Sequence, residues 1–270
     1  MLFRFSFFLV VFFPVWALGE NNGRGTRAIA LGNSTVAVVV SPWSVFHNPA
    51  GLSEVNRLEA SVFVVPQQFG LEELRTIAGA ITVPTPFVNV GIGVDQFGFS
   101  LYRETGVSVC LARRIDWGIS GGITLTGRQF SIERYGSAQV ILIDIGLMAE
   151  MDERVRLGFV GKNAGSARIG KRKERLPLSA DLGISFLPLN NLLLSASVEK
   201  DIRFPASLKV GVEQTLLDAV ALRVGFANKP ETFTAGVGIR YSMFEFGYAG
   251  YSHSFLGWTH QIEIGVAFRD

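Results

Sequence analysis

WTHQIEIGVAF, residues 258–268, decides the fold. Trp258, His260, Ile262, Ile264, Val266 and Phe268 share one parity, and Thr259, Gln261, Glu263, Gly265 and Ala267 share the other. Successive side chains of a strand point to opposite faces, so this segment has one greasy face and one small, polar face. The same alternation recurs upstream. Phe233, Ala235, Val237, Ile239 and Tyr241 oppose Thr232, Thr234, Gly236, Gly238 and Arg240. Leu178, Ala180, Leu182, Ile184 and Phe186 oppose Ser179, Asp181, Gly183 and Ser185.

Working outward, about fourteen such segments emerge, at 58–65, 76–83, 87–95, 105–113, 116–127, 138–150, 153–162, 178–187, 191–200, 205–215, 218–227, 231–241, 243–252 and 258–268. An even number of strands, each of roughly ten residues, predicts an all-β fold: a membrane-spanning antiparallel β-barrel of the bacterial outer membrane. The links between segments alternate in length. Short ones fall at Pro84-Thr85-Pro86, Arg114-Ile115, Met151-Asp152, Pro188-Leu189-Asn190, Leu216-Leu217 and Ser242. Longer ones are expected at Pro66–Arg75, Gln96–Glu104, Arg128–Ser137 and Asn163–Pro177, with modest ones after them. Short turns at one rim and longer loops at the other are what such barrels show, and they place the long loops outward.

The composition agrees. Hydrophobic residues make up 48% of the 270 and charged residues 18%, with mean hydropathy +0.32. A soluble domain carries about 25% charge, whereas a chain whose outer surface meets lipid needs less. No segment beyond the leader has 18 consecutive apolar residues, so spanning helices are excluded. The formal net charge of +2 gives no reason to expect nucleic acid. Cys110 is the single cysteine, so no internal disulfide can form, and it reads as buried filler.

Residues 1–19 have a positive start at Arg4, a greasy centre and a small-residue exit at Ala17-Leu18-Gly19, the order of a cleaved export signal. The apolar run is short of the ~20 residues a spanning helix needs. Residues 20–57 do not alternate. The stretch Arg27–Gly51, RAIALGNSTVAVVVSPWSVFHNPAG, is apolar and rich in Gly and Ala, and it contains Trp43 and Phe46 just before Asn48-Pro49-Ala50-Gly51. It reads as a plug packed into the barrel formed by residues 58–270. Asn before Pro favours a turn, and Gly51 permits backbone closed to other residues. The plug and both termini are expected on the short-turn, periplasmic side.

Gly25-Thr26-Arg27-Ala28, Leu31-Gly32-Asn33, Val36-Ala37-Val38 and Asn48-Pro49-Ala50-Gly51-Leu52 together resemble the N-terminal signature of the PorV/PorQ-like outer-membrane proteins, relatives of the FadL hydrophobic-compound transporters. The chain departs from that signature at Val40-Ser41, where the family often carries an acidic pair, and it is shorter than typical members. The resemblance implies a fourteen-stranded barrel with one of two functions. The favoured expectation is a PorV-like accessory or scaffold linked to type IX protein secretion, whose partners would be secretion-system or secreted proteins. The alternative is a FadL-like gated transporter of hydrophobic small molecules. In either case Trp43, Phe46 and Asn48–Gly51 form the plug or gating motif.

No enzyme, metal site or cofactor is expected. The three histidines, His47, His253 and His260, lack metal-ligand spacing, and no nucleophile stands in a recognisable catalytic motif. Asp181, Lys209, Glu213, Arg223, Arg240, Glu245 and Glu263 fall on the small, polar faces, so they are expected in the lumen, pairing with one another or, as the sharper alternative, lining a translocation pathway. Arg168, Lys171, Arg172, Lys173 and Arg175 lie in the longest loop, either as a solvated loop tip or as a contact for lipopolysaccharide phosphates of the outer membrane. Phe69, Phe97, Phe99 and Tyr102 are expected in other outward loops, where interfacial anchoring, the commoner role, and a greasy ligand entrance are both open.

Overall fold

The computed structural model describes residues 23–39, 41–116, 118–170 and 173–268. The export signal, Val40, Trp117, Lys171 and Arg172 lie outside them.

Strands follow the alternation closely: β1 (Glu59–Val65), β2 (Thr76–Val83), β3 (Asn89–Gly98), β4 (Tyr102–Arg114), β5 (Ile119–Ile132), β6 (Gly136–Glu150) and β7 (Val155–Lys162). After a two-stranded hairpin, β8 (Arg168–Ile169) and β9 (Glu174–Arg175), come β10 (Ser179–Leu189), β11 (Leu192–Asp201), β12 (Ser207–Leu216), β13 (Val220–Asn228), β14 (Glu231–Tyr241), β15 (Phe244–His253) and β16 (Gly257–Ala267). All but β8 and β9 join one closed antiparallel barrel, in which β1 pairs with β2 on one side and β16 on the other. Closure leaves no open sheet edge at membrane depth. The parity read from the sequence sets the faces. In β16, Thr259 and Gln261 are buried in the lumen at 1% and 0% exposure, while Ile262 and Ile264 face outward at 53% and 52%.

The loops differ from expectation. Gln96–Glu104 and Arg128–Ser137 are mostly strand: β3 and β4 are separated only by 99–101, and β5 and β6 only by 133–135. Here the outward positions turn polar, at Arg103, Thr105, Gln129, Ser131 and Gln139, so the hydropathy signal stops. The ladder continues through Glu104↔Phe130 and Gln129↔Gln139, because each backbone group still gains a partner. Phe97 and Tyr102 are therefore strand residues. Phe69 turns inward, packing edge-on to Tyr251 and His253 at ring-centroid distances of 5.8 and 5.6 Å.

The segment 23–57 fills the short-turn half of the lumen. A short helix, α1 (Thr26–Ala30), packs on β13–β16. The 3-10 turn Ser41–Phe46 packs on β1–β4, and the 3-10 turn Pro49–Glu54 on β3–β6. The expected turn at Asn48-Pro49 is thus the capped start of a 3-10 helix, with Asn48 Oδ1 accepting from the Ala50 amide at 3.1 Å.

Candidate functional site: the plug and its vestibule

Glycines on the inward faces make the seat. A Cβ added at Gly122 would lie 2.5 Å from Pro49 C, at Gly158 2.1 Å from Val36 O, and at Gly225 2.3 Å from Gly32 N. Those positions are occupied by plug backbone, so the wall can carry no side chain there. The small inward faces seen in the sequence are the imprint of the plug.

Within that seat the motif residues take definite places. Asn48 donates to Val36 O at 2.6 Å and to Leu147 O of β6 at 3.1 Å, tying two plug segments to each other and to the wall. Pro49, Ala50 and Gly51 are buried against β4–β6. Trp43 is buried, edge-on to Phe63 at 5.8 Å, and its Nε1 donates to Glu263 Oε1 at 2.6 Å. Phe46 packs 6.1 Å from Trp43 and faces the open half of the lumen.

The lumen charges pair less among themselves than expected. Glu263 Oε2 accepts from the Thr26 amide at 2.6 Å and its hydroxyl at 2.8 Å, so this carboxylate serves the plug alone. Glu213 accepts two bonds from Arg27, at 2.8 and 2.7 Å, and one from Arg223 at 2.6 Å. Arg223 also approaches Glu245 at 3.9 Å, and Arg240 lies 3.8 Å from Glu245. Lys209 pairs with Glu199. Asp181 is buried with one carboxylate oxygen lacking a hydrogen bond among the described residues.

Sequence reading missed four holding residues. Arg24 reaches Asp95 at 3.2 Å, beside the 3.0 Å contact of Arg128 with the same carboxylate. Arg27 forms the bidentate pair with Glu213, and Thr26 makes two of the three bonds to Glu263. His47 is buried, with Nε2 2.8 Å from Arg24 O and Nδ1 3.2 Å from the Thr35 hydroxyl. Burial, reinforced by nearby Lys162, Arg24 and Lys209, pulls its pKa down to about 3 against the favourable Arg24 contact, so the imidazole is neutral. Their polar type hinted at lumen positions; their partners lie too far away in sequence to be read.

Above the plug opens a vestibule of about 700 Å³ toward the long-loop rim. Its floor is Ile29, Val45 and Phe46, while Arg128, Lys162, Lys209 and Glu104 stand on the strand walls. Gly23 and Arg24 also line it, so the first described residues face the vestibule rather than the short-turn rim. Loop 163–178 supplies Leu176 and Pro177, held inward because Asn163 Nδ2 donates to Pro177 O at 2.9 Å. Of the basic loop residues, Arg168 and Arg175 face each other across β8 and β9 and Lys173 lies in the turn between them. Among the described residues no group of three or more His, Cys, Asp or Glu is placed to hold a metal.

No protein-family model matches the chain, and no curated protein sequence does. Its fold is shared with solved structures. The monoaromatic hydrocarbon channel CymD aligns with TM-score 0.70, covering 93% of this chain and 100% of that one at 11% identity. The Ralstonia pickettii toluene transporter TbuX aligns with TM-score 0.70, covering 92% and 98% at 12% identity. A Pseudomonas aeruginosa FadL homologue aligns with TM-score 0.65, covering 91% and 98% at 11% identity. At such identities the likeness is one of fold, the fourteen-stranded outer-membrane barrel of the FadL type.

Proposed function

We propose that the chain is a plugged outer-membrane transporter that admits small hydrophobic or amphipathic molecules when the plug moves. The observation that carries this reading is the vestibule of about 700 Å³ ending on the apolar floor of Ile29, Val45 and Phe46. That floor belongs to a segment fastened to the wall by side-chain contacts to Asp95, Glu213 and Glu263, bonds that can break without opening the barrel ladder. An apolar floor beneath largely polar walls suits a small ligand with an apolar end and a polar one. The resembling folds named as a hydrocarbon channel and a toluene transporter add support by analogy of architecture.

The secretion-scaffold reading favoured by the sequence now has less behind it. The motif part of the resemblance to PorV/PorQ-like proteins is confined to residues 25–52, strand number is common to the FadL-type barrels, and the links at 99–101, 133–135, 229–230 and 254–256 offer little outward surface for a large partner. In either reading the protein is placed in a bacterial outer membrane, delivered by the cleaved signal of residues 1–19. Arg168 and Arg175, directly opposite each other and without an ion pair among the described residues, favour contact with lipopolysaccharide phosphate, because an anion between them relieves the repulsion of facing like charges.

The test is uptake of the fluorescent apolar probe 1-N-phenylnaphthylamine by cells with and without the protein. Saturable uptake that depends on the protein, increased by Gly122→Ala, is expected. Uptake equal in both cell types, with a secreted protein co-purifying at defined stoichiometry, would return the scaffold role.

A further inference from the structure

The outward face of the barrel is a bulky apolar band with one dent. Ala235, Gly250 and His260 are register partners in a single row across β14, β15 and β16. The row toward the long-loop rim carries Phe233 and Trp258, and the row below carries Val237, Tyr248 and Ile262. Two small residues between bulky rows leave a groove of about 580 Å³, bounded by Ala235, Val237, Tyr248, Gly250, Trp258 and His260. The rings form a nearly parallel shelf: Trp258 and His260 lie 6.5 Å apart at 15°, and Tyr248 and His260 6.0 Å apart at 21°.

A histidine is costly on a face that meets hydrocarbon. His260 Nδ1 is satisfied by the Tyr248 hydroxyl at 2.6 Å, but Nε2 has no hydrogen bond among the described residues. Nε2 is left as an unmet polar atom in either tautomer: a donor when the phenol gives its proton to Nδ1, an acceptor when the ring gives its own to the phenol oxygen. In lipid an unmet polar atom costs far more than in water, so it favours an occupant bringing a hydroxyl, which can serve either tautomer. The row lies in the long-loop half of the three strands, next to the row of Phe233 and Trp258. No charged residue bounds the groove, and it is continuous with the lipid-facing band.

We infer that this groove is a specific site for one acylated lipid of the outward leaflet, its chain over Ala235 and along the Trp258–His260 shelf that Gly250 seats, and a hydroxyl on His260. The site stands apart from the vestibule and does not depend on the transport reading.

Native mass spectrometry of the full chain released from micelles containing hexa-acyl lipid A tests it. The wild-type protein should retain one lipid A molecule under activation that strips the rest. Gly250→Val fills the dent, and an added Cβ there meets His260 and Trp258 at 3.6 Å, ordinary contact. His260→Phe keeps a ring and removes the polar nitrogen. Each variant should lower the retained fraction about fivefold or more, the scale of one lost hydrogen bond or a filled pocket. Equal retention in all three proteins, or a protein dimer without lipid, would overturn the proposal.

Discussion

At the scale of single residues, the account rests on what the inward glycines and acids touch. Gly122→Val sets a branched side chain where Pro49 backbone lies 2.5 Å from the new Cβ. The strand cannot yield without breaking its ladder, so the plug must. We predict a plug loosened by about 1–3 kcal/mol, the usual cost of overpacking, read as faster amide exchange over 41–54 with the barrel's own protection unchanged. Glu263→Ala acts from the other end: it strands the Trp43 Nε1–H and the Thr26 amide, each costing about 1–3 kcal/mol if left unmet. Exchange over 25–31 should accelerate, and Glu263→Gln, which keeps an acceptor, should recover part of the protection. Unaltered exchange in the alanine variant would remove Glu263 from the holding contacts. The glycine parity was legible in the sequence. Its meaning was not, because Gly122 and Pro49 become neighbours only when the barrel closes.

At the scale of elements, the plug is a set of short pieces held by side chains, and its hold depends on pH through His47. The folded pKa of about 3 lies below the ordinary 6.5, so the docked plug keeps the ring neutral while a released one can protonate. Above pH 6.5 both states are neutral and the group contributes nothing. As pH falls from 6.5 toward 3 only the released state gains the proton, and docking weakens progressively. Exchange over 23–31, corrected for intrinsic rates, should rise between pH 7 and pH 4, and His47→Gln should flatten that rise. The β8–β9 hairpin makes a separate forecast. Arg168→Glu with Arg175→Glu should sharply weaken sedimentation with lipopolysaccharide, and wild-type association should fall with added salt; sedimentation unchanged by the double reversal would dismiss the contact. Strands such as β14 and β16 were readable because one face is lipid and the other lumen. The outer ends of β4 to β6 were not, since Gln129 and Gln139 are polar on the outward face, and α1 spans five residues, too few to show a helical period.

At the scale of the whole molecule, a closed ladder of fourteen strands fixes the wall, and the proposed movement falls to segment 23–57, which side chains hold within it. The barrel and its faces were legible in the sequence, because lipid imposes a period of two on every strand, and residues 20–57 stood out only by lacking that period. The latches at Glu213 and Glu263 stayed hidden, since Arg27 and Glu213 stand 186 positions apart and Trp43 and Glu263 stand 220 apart. Nor could motif reading choose between scaffold and transporter: that choice turns on loop lengths and a cavity, both products of the assembled wall. The central claim is that passage requires the plug to leave its seat. A cysteine pair, Thr26→Cys with Gly247→Cys, tests it, because a Cβ at 247 would lie 3.1 Å from that of Thr26, so a shift of a few tenths of an ångström brings the two to the roughly 3.5–4.5 Å of a disulfide. The decisive measurement is 1-N-phenylnaphthylamine uptake by cells carrying this pair, oxidised and then reduced. Uptake blocked by the disulfide and restored on reduction is the predicted result; the same uptake in both redox states would contradict the account.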